Sequence, residues 1–81
     1  MKKKSEEINK KLLFFLNKHL KKYNKKANVK MLNIPLYQEG IIDSFDFINI
    51  IVDIEKEFKI KIPVSKISPK TTMNNLKNEI K

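Results

Sequence analysis

The chain contains no cysteine, arginine or tryptophan, and it has only one glycine and three prolines among 81 residues. Without cysteine there are no disulfides and no thiolate metal sites, so any thiol chemistry would have to come from a bound group. No apolar run approaches the roughly 18 residues that a membrane helix needs, and no signal-peptide pattern is present. We therefore expect one small domain, residues 1–81, in the cytoplasm.

The positive charge lies at one end of the chain. The formal net charge is +9, and residues 1–30 hold 11 lysines against Glu6 and Glu7. Residues 43–58, by contrast, hold five acids and one lysine. Because arginine is the residue best suited to bidentate phosphate and guanine contacts, its absence argues against nucleic-acid binding. The sequence thus predicts a polarised domain with a basic first helix and an acidic central one.

Apolar periodicity predicts a first helix from about Ser5 to Tyr23, after a disordered tail of residues 1–4. Ser5 is suited to cap its start, and Asn24 is suited to end it. Its predicted buried face comprises Ile8, Leu12, Phe15, Leu16 and Leu20. The following residues, 24–42, lack a clean period and predict a long loop folded against the core.

A second helix is predicted from Asp43 to Phe58, with Asp43 as its N-cap. Ile42 and Phe47 flank this start at the spacing of a hydrophobic staple. The predicted buried stripe consists of Ile48, Ile51, Ile54 and Phe58, widened by Ile50 and Val52. Because most of these residues are β-branched, a strand over residues 48–52 is the competing interpretation, but the cap and the longer period favour a helix.

The last third of the chain predicts two further helical segments. Pro63 is suited to open a single turn that ends near Ile67, and Thr72 is suited to cap a final helix. That helix would present Met73, Leu76 and Ile80 on one face. The expected fold class is therefore all-α, an irregular four-helix bundle with three main helices, one short helix and a long loop between the first and second.

The start of the second predicted helix resembles a known motif. Residues 40–46, with the sequence GIIDSFD, are similar to the phosphopantetheine attachment motif of the acyl carrier protein family. In that family an Asp-Ser pair is followed by a large apolar residue, here Phe45. The resemblance continues through the apolar positions of the helix, the KIP sequence of residues 61–63 and the TTMNNL sequence of residues 71–76. It covers about residues 39–81, and it includes the first helix only by length and pattern.

The resemblance implies that Ser44 carries a covalent 4'-phosphopantetheine arm, with Asp43 helping to present the serine. A phosphopantetheinyl transferase would attach the arm from coenzyme A, and loading and acceptor enzymes would then exchange an acyl or aminoacyl group on its thiol. The residues agree with this role, because the phosphodiester suits a helix N-terminus. Nothing nearby in the sequence activates Ser44 as a nucleophile, so we expect a carrier and no enzymatic activity. The only histidine, His19, is interpreted as a boundary residue of the first helix rather than a metal ligand.

The resemblance also implies that partner enzymes dock on the second helix. The predicted contacts are Phe45, Asp46, Phe47, Asn49, Val52, Asp53 and Glu55, with Glu57 extending an acidic face toward basic partners. For the acids, the alternative is an ordinary solvated helix face. For Phe47, the alternatives are a staple to Ile42 and an exposed partner contact.

Two other functional classes remain open from the sequence. The lysine-rich first helix suits a membrane-surface or nucleic-acid-binding module, which binding to anionic liposomes or DNA would distinguish from a carrier. A protein-interaction bundle that has lost its modification is the other class, and the intact Asp43-Ser44 pair argues against it. We expect a monomer without nucleic acid, while the cargo and pathway are left open.

Overall fold

The computed structural model describes residues 2–80, with side chains from Glu6 onward, and three α-helices lie in this part of the chain. They are α1 (Lys2–Leu20), α2 (Ser44–Phe58) and α3 (Met73–Lys77). Short 3-10 helices cover Lys21–Tyr23, Val29–Asn33 and Val64–Lys66. No residue from 2 to 80 lies in a strand, which confirms the all-α class and excludes the strand interpretation of residues 48–52.

Helix α1 starts earlier than its sequence predicts. It begins at Lys2, so Ser5 lies inside the helix and not at its N-cap, in keeping with the high helix propensity of lysine. Of the predicted disordered tail, Met1 lies outside the described residues. At the other end the helix tightens into a 3-10 turn, and Asn24 ends it in the left-handed conformation with φ 62°, as predicted.

One buried cluster joins the elements. The five predicted core residues of α1 are all buried, and the 24–42 loop adds Leu32 and Leu36. The expected folding of this loop against the core is therefore confirmed. None of the helices between residues 2 and 80 combines the length and apolarity needed to cross a membrane.

The buried stripe of α2 is rotated relative to the prediction. Ile50, Ile51 and Ile54 are buried, but Ile48 is 52% exposed. The reason lies at the start of the helix, where Ile42 and Phe47 are both buried in the core. Once position 47 faces inward, the 3.6-residue period carries positions 50, 51 and 54 inward and turns position 48 toward solvent.

The predicted starts of the two helical segments in the last third of the chain are confirmed. Pro63 and Ile67 flank the Val64–Lys66 turn, and Thr72 caps α3 in a reciprocal capping box with Asn75. Helix α3 is shorter than expected, because it ends at Lys77. Ile80 lies beyond the helix and still packs against the core.

The rotation of α2 makes Ile48 and Ile50 a matched pair for mutation. We expect Ile50→Ala to lower the free energy of unfolding by about 2–5 kcal/mol, because it leaves a cavity in a fully buried position. Ile48→Ala should cost less than about 1 kcal/mol, because that side chain is half in solvent. Urea unfolding of both variants measures the difference, and equal losses would contradict this orientation of the helix.

Candidate functional site

Ser44 is the first residue of α2 and its side chain is exposed. The residue before it, Asp43, is the N-cap with extended backbone, and its Oδ1 accepts a 2.8 Å hydrogen bond from the Asp46 N–H. The predicted capping role of Asp43 is thus confirmed. This cap stops the helix from extending backward, so the Ser44 hydroxyl stands at the junction of loop and helix, accessible from solvent.

A tight turn over residues 35–41 precedes this junction. The Glu39 N–H donates to the Pro35 carbonyl at 2.9 Å, and the Ile41 N–H donates to the Leu36 carbonyl at 2.9 Å. Gly40 has φ +75° in this turn, a conformation that residues with a side chain rarely adopt. The single glycine of the chain therefore lies where the loop must reverse just before the candidate site.

Asp46 is buried although it lies in the first turn of α2, with only 1% of its surface exposed. Its Oδ2 accepts a 2.9 Å hydrogen bond from the Tyr23 hydroxyl. Its Oδ1 lies 2.9 Å from Lys22 Nζ and 3.2 Å from His19 Nδ1. All three partners belong to the C-terminal end of α1 and its 3-10 turn, so this carboxylate connects the end of α1 to the start of α2.

The surroundings of Asp46 favour its ionised form in the folded protein. Burial by itself would raise the pKa of Asp46, but the hydrogen bonds from Lys22, Tyr23 and His19 and the charge of Lys22 outweigh it, so this pKa lies below its ordinary value. The hydrogen bond to Asp46 likewise raises the pKa of Lys22 and that of Tyr23. The prediction that Asp46 contributes to an exposed docking face is therefore wrong, because its carboxylate is used inside the molecule.

Phe47 also lies in the core and not on the predicted partner surface. Its side chain is 4% exposed and belongs to the core, together with Ile42. The ring stacks on Tyr37 with 5.4 Å between centroids and 24° between the planes. The staple interpretation therefore agrees with the structure, and the exposed-contact interpretation does not.

The remaining acids of α2 also have partners within the chain. Asp53 Oδ2 lies 3.2 Å from Lys18 Nζ and 3.6 Å from His19 Nε2. Glu57 forms an ion pair with Lys11, and Glu55 Oε2 accepts a 2.8 Å hydrogen bond from the Ile62 N–H. His19, interpreted from sequence as a boundary residue, thus lies at 16% side-chain exposure between two carboxylates of α2.

The sequence contains a signal for these pairs that a search for site motifs does not use. The acids Asp46, Asp53 and Glu57 are spaced by seven and four residues, and the lysines 11, 18 and 22 have the same two spacings. Each set therefore forms a stripe on one helix face. When the two helices run antiparallel, the stripes meet in the pairs 22–46, 18–53 and 11–57, as the structure shows.

The exposed part of α2 beside Ser44 is apolar. Phe45 is 71% exposed, and Ile48 follows one turn later on the same side. Asn49 is half-buried and donates through Nδ2 to the Phe45 carbonyl at 2.9 Å. Val52 is half-buried one further turn along. Sequence reasoning placed Phe45, Asn49 and Val52 on this surface but assigned Ile48 to the core.

The described residues form a small all-helical domain with an exposed serine at the start of α2, and the family comparison identifies its class. The model of the phosphopantetheine attachment site family matches residues 25–80, well over half of the chain. The protein belongs to this family, whose members are carrier domains with a 4'-phosphopantetheine prosthetic group. No curated protein and no solved structure matches the chain significantly.

The Asp46 contacts predict a pH-dependent stability difference. We expect Asp46→Asn to lower the free energy of unfolding by about 1–3 kcal/mol near neutral pH, because the hydrogen bonds to a charged acceptor are lost. Since the pKa of Asp46 is lowered by folding, its contribution is full above the unfolded-state pKa and is lost as the pH falls through the folded-state pKa. The difference between wild type and variant should therefore shrink below about pH 4.

Urea unfolding of the two proteins across this pH range tests the expectation. Glu39→Gln is the matched control, because Glu39 is an exposed acid with no side-chain partner among residues 6–80. A difference that stays constant down to about pH 2 would show that the charge of Asp46 does not stabilise the fold.

Proposed function

We propose that this protein is a carrier that holds an acyl or aminoacyl group as a thioester on a phosphopantetheine arm attached to Ser44. The observation that carries the proposal is the exposed Ser44 hydroxyl at the first position of a 15-residue helix, inside the segment that matches the family. The other serines of that segment are less suited, since Ser65 lies in a three-residue turn and the Ser68 hydroxyl is within hydrogen-bond distance of the Thr71 hydroxyl, at 3.4 Å. We place the carrier in the cytoplasm, in keeping with its cysteine-free sequence.

The surroundings of Ser44 suit a phosphodiester. The first N–H groups of a helix have no acceptor within it, and Asp43 accepts only that of Asp46. The N–H groups of Ser44 and Phe45 are therefore donors for an anion, assisted by the positive end of the helix dipole. The arm supplies a thiol, which the chain itself lacks.

We take Ser44 to be a substrate for modification and not a catalytic nucleophile. Both ring nitrogens of His19, the only histidine, face carboxylates, Nδ1 toward Asp46 and Nε2 toward Asp53. The His19 imidazole is therefore engaged away from the Ser44 hydroxyl, and a separate phosphopantetheinyl transferase would attach the arm from coenzyme A. This division of labour fits a carrier that passes its cargo between a loading enzyme and an acceptor enzyme.

We propose that these enzymes dock on the apolar part of α2. Phe45 and Ile48 are exposed next to Ser44, and Val52 and Asn49 extend the same region. Large apolar side chains in solvent are typical anchors of protein interfaces. Asp53 and Glu55 border this region, but their carboxylates already have partners in the chain, so we assign them a minor role.

Modification of Ser44 is tested by intact mass. After incubation with coenzyme A and a broad-specificity phosphopantetheinyl transferase, we expect the wild-type protein to gain the mass of one phosphopantetheine. Ser44→Ala should gain none, because the acceptor hydroxyl is missing. Ser65→Ala is the matched control and should be modified as fully as wild type, since Ser65 is an exposed serine in a different turn.

The result separates the carrier proposal from its alternatives. No mass gain in the wild type, with a known carrier modified in the same tube, would contradict the proposal. A gain that persists in Ser44→Ala would place the arm on another residue.

The docking surface is tested by the rate of the same modification. We expect Phe45→Ala to lower kcat/KM of the transferase about tenfold, the effect of losing about 1.4 kcal/mol of binding. Phe14→Ala, which removes an exposed ring from α1, should leave the rate unchanged. Asp53→Asn should have a much smaller effect on this rate than Phe45→Ala. The opposite order would contradict the apolar docking surface and support docking on the acids of α2.

The membrane-surface or nucleic-acid-binding alternative stays a prediction. Its basis was the lysine-rich first helix, and Lys11, Lys18 and Lys22 of that region are now paired with acids of α2. Part of the positive charge therefore serves the fold, and no observation in the structure favours this alternative over the carrier.

A further inference from the structure

An open groove lies beside the attachment serine on the side of the 24–42 loop. It encloses about 550 Å³, within the usual range for small-molecule sites. Tyr23 lines it from the 3-10 turn after α1, and Lys25, Tyr37 and Ile41 line it from the 24–42 loop. The part of the lining at Asp43, the residue directly before Ser44, is called the rim. A group attached to Ser44 would therefore start one residue away from the lining of this groove.

The first turn of α2 holds both aromatic walls in place. Asp46 accepts the hydrogen bond of the Tyr23 hydroxyl at 2.9 Å, and Phe47 stacks on the Tyr37 ring. Asp46 and Phe47 were expected on the partner surface, and the structure instead turns them inward toward the two tyrosines. The walls are thus fixed by the same turn that presents Ser44, so the groove is present before any group is attached.

We propose that the phosphopantetheine arm on Ser44 lies in this groove, with Lys25 pairing with its phosphodiester. The inference rests on the proposed attachment at Ser44. The arm carries an anion, a branched apolar segment and two amides in order from its attached end. The groove offers a cation, the aliphatic side chain of Ile41 and two aromatic rings. Covalent attachment at the rim gives the arm a high effective concentration there, so weak contacts suffice to hold it.

Charge gives Lys25 a specific part in this arrangement. Asp43 places a carboxylate at the rim, and the phosphodiester adds a second negative charge beside it. Lys25 is exposed and has no acidic partner among residues 6–80, so its ammonium group is available to offset that repulsion. Its neighbour Lys26 is equally exposed but does not line the groove.

This placement separates the resting arm from the proposed docking surface. Phe45 and Ile48 project from α2, whereas the groove is formed by the loop and the end of the first helical region. A partner bound to Phe45 would therefore meet a carrier whose arm is still held on the loop side. Delivery of the cargo would then require the arm to leave the groove.

A nitroxide attached to the thiol of the arm tests the proposal. Because the chain has no cysteine, a maleimide spin label on the modified protein reacts at that thiol alone. In amide NMR spectra of the labelled holo-protein, we expect the signals of Tyr23, Tyr37 and Gly40 to broaden selectively. Lys25→Gln should lose this broadening while still gaining the full mass of the arm, and Lys26→Gln should keep it.

The outcomes distinguish the groove from the carrier role. Broadening concentrated on residues 60–67, or spread evenly over the surface, would overturn the groove while leaving the modification of Ser44 intact. Equal loss or equal retention in the two lysine variants would overturn the assignment of Lys25. Absence of any mass gain would overturn the attachment at Ser44 and the groove with it.

Discussion

The contact between the Asp46 carboxylate and the end of α1 with its 3-10 turn, residues 19–23, is the interaction on which the rest of the structure depends. It brings Lys22 and Tyr23 against the first turn of α2 and buries a charge that has several hydrogen bonds to compensate it. A buried carboxylate without such partners would be strongly destabilising, so the two elements must meet in this one register. The position of Ser44, two residues earlier, follows from that register.

The same contact changes how the charge of the protein is understood. A net charge of +9 suggests a binding surface for anions, but the lysine stripe of α1 faces the acid stripe of α2. Each exposed pair contributes little by itself, at most about 1 kcal/mol. With the hydrogen bond from the Ile62 N–H to Glu55, every acid within α2 has a partner in the chain, and the exposed side chains of Phe45 and Ile48 make the surface of the first turns apolar.

Local signals predicted most of the fold and the candidate site. Asp43, Thr72 and Asn24 each occupy a cap position that their side chains or backbone favour, and the structure confirms all three. The Asp-Ser motif pointed to the start of α2, where the structure places an exposed Ser44. Apart from Ser5, which lies inside α1 and not at its N-cap, the failures concern orientation. Ile48 was assigned to the core and Asp46 to the surface, and Phe47 was left between a buried staple and an exposed contact, because periodicity alone leaves the rotation of a helix uncertain when apolar residues surround it.

The sequence by itself therefore determined the all-α class, the caps at Asn24, Asp43 and Thr72 and the position of the candidate serine, because each depends on residues close together in the chain. Only the tertiary structure decided which side of α2 faces the core, because that depends on Ile42 and Phe47 packing with distant residues. Only the tertiary structure, too, joined Tyr23 to Asp46 and Tyr37 to Phe47 and so formed a groove beside Ser44. The spacing of lysines and acids indicates that α1 and α2 pair, but the Tyr23–Asp46 and Tyr37–Phe47 contacts have no such repeated spacing, so the groove could not be predicted from the chain alone.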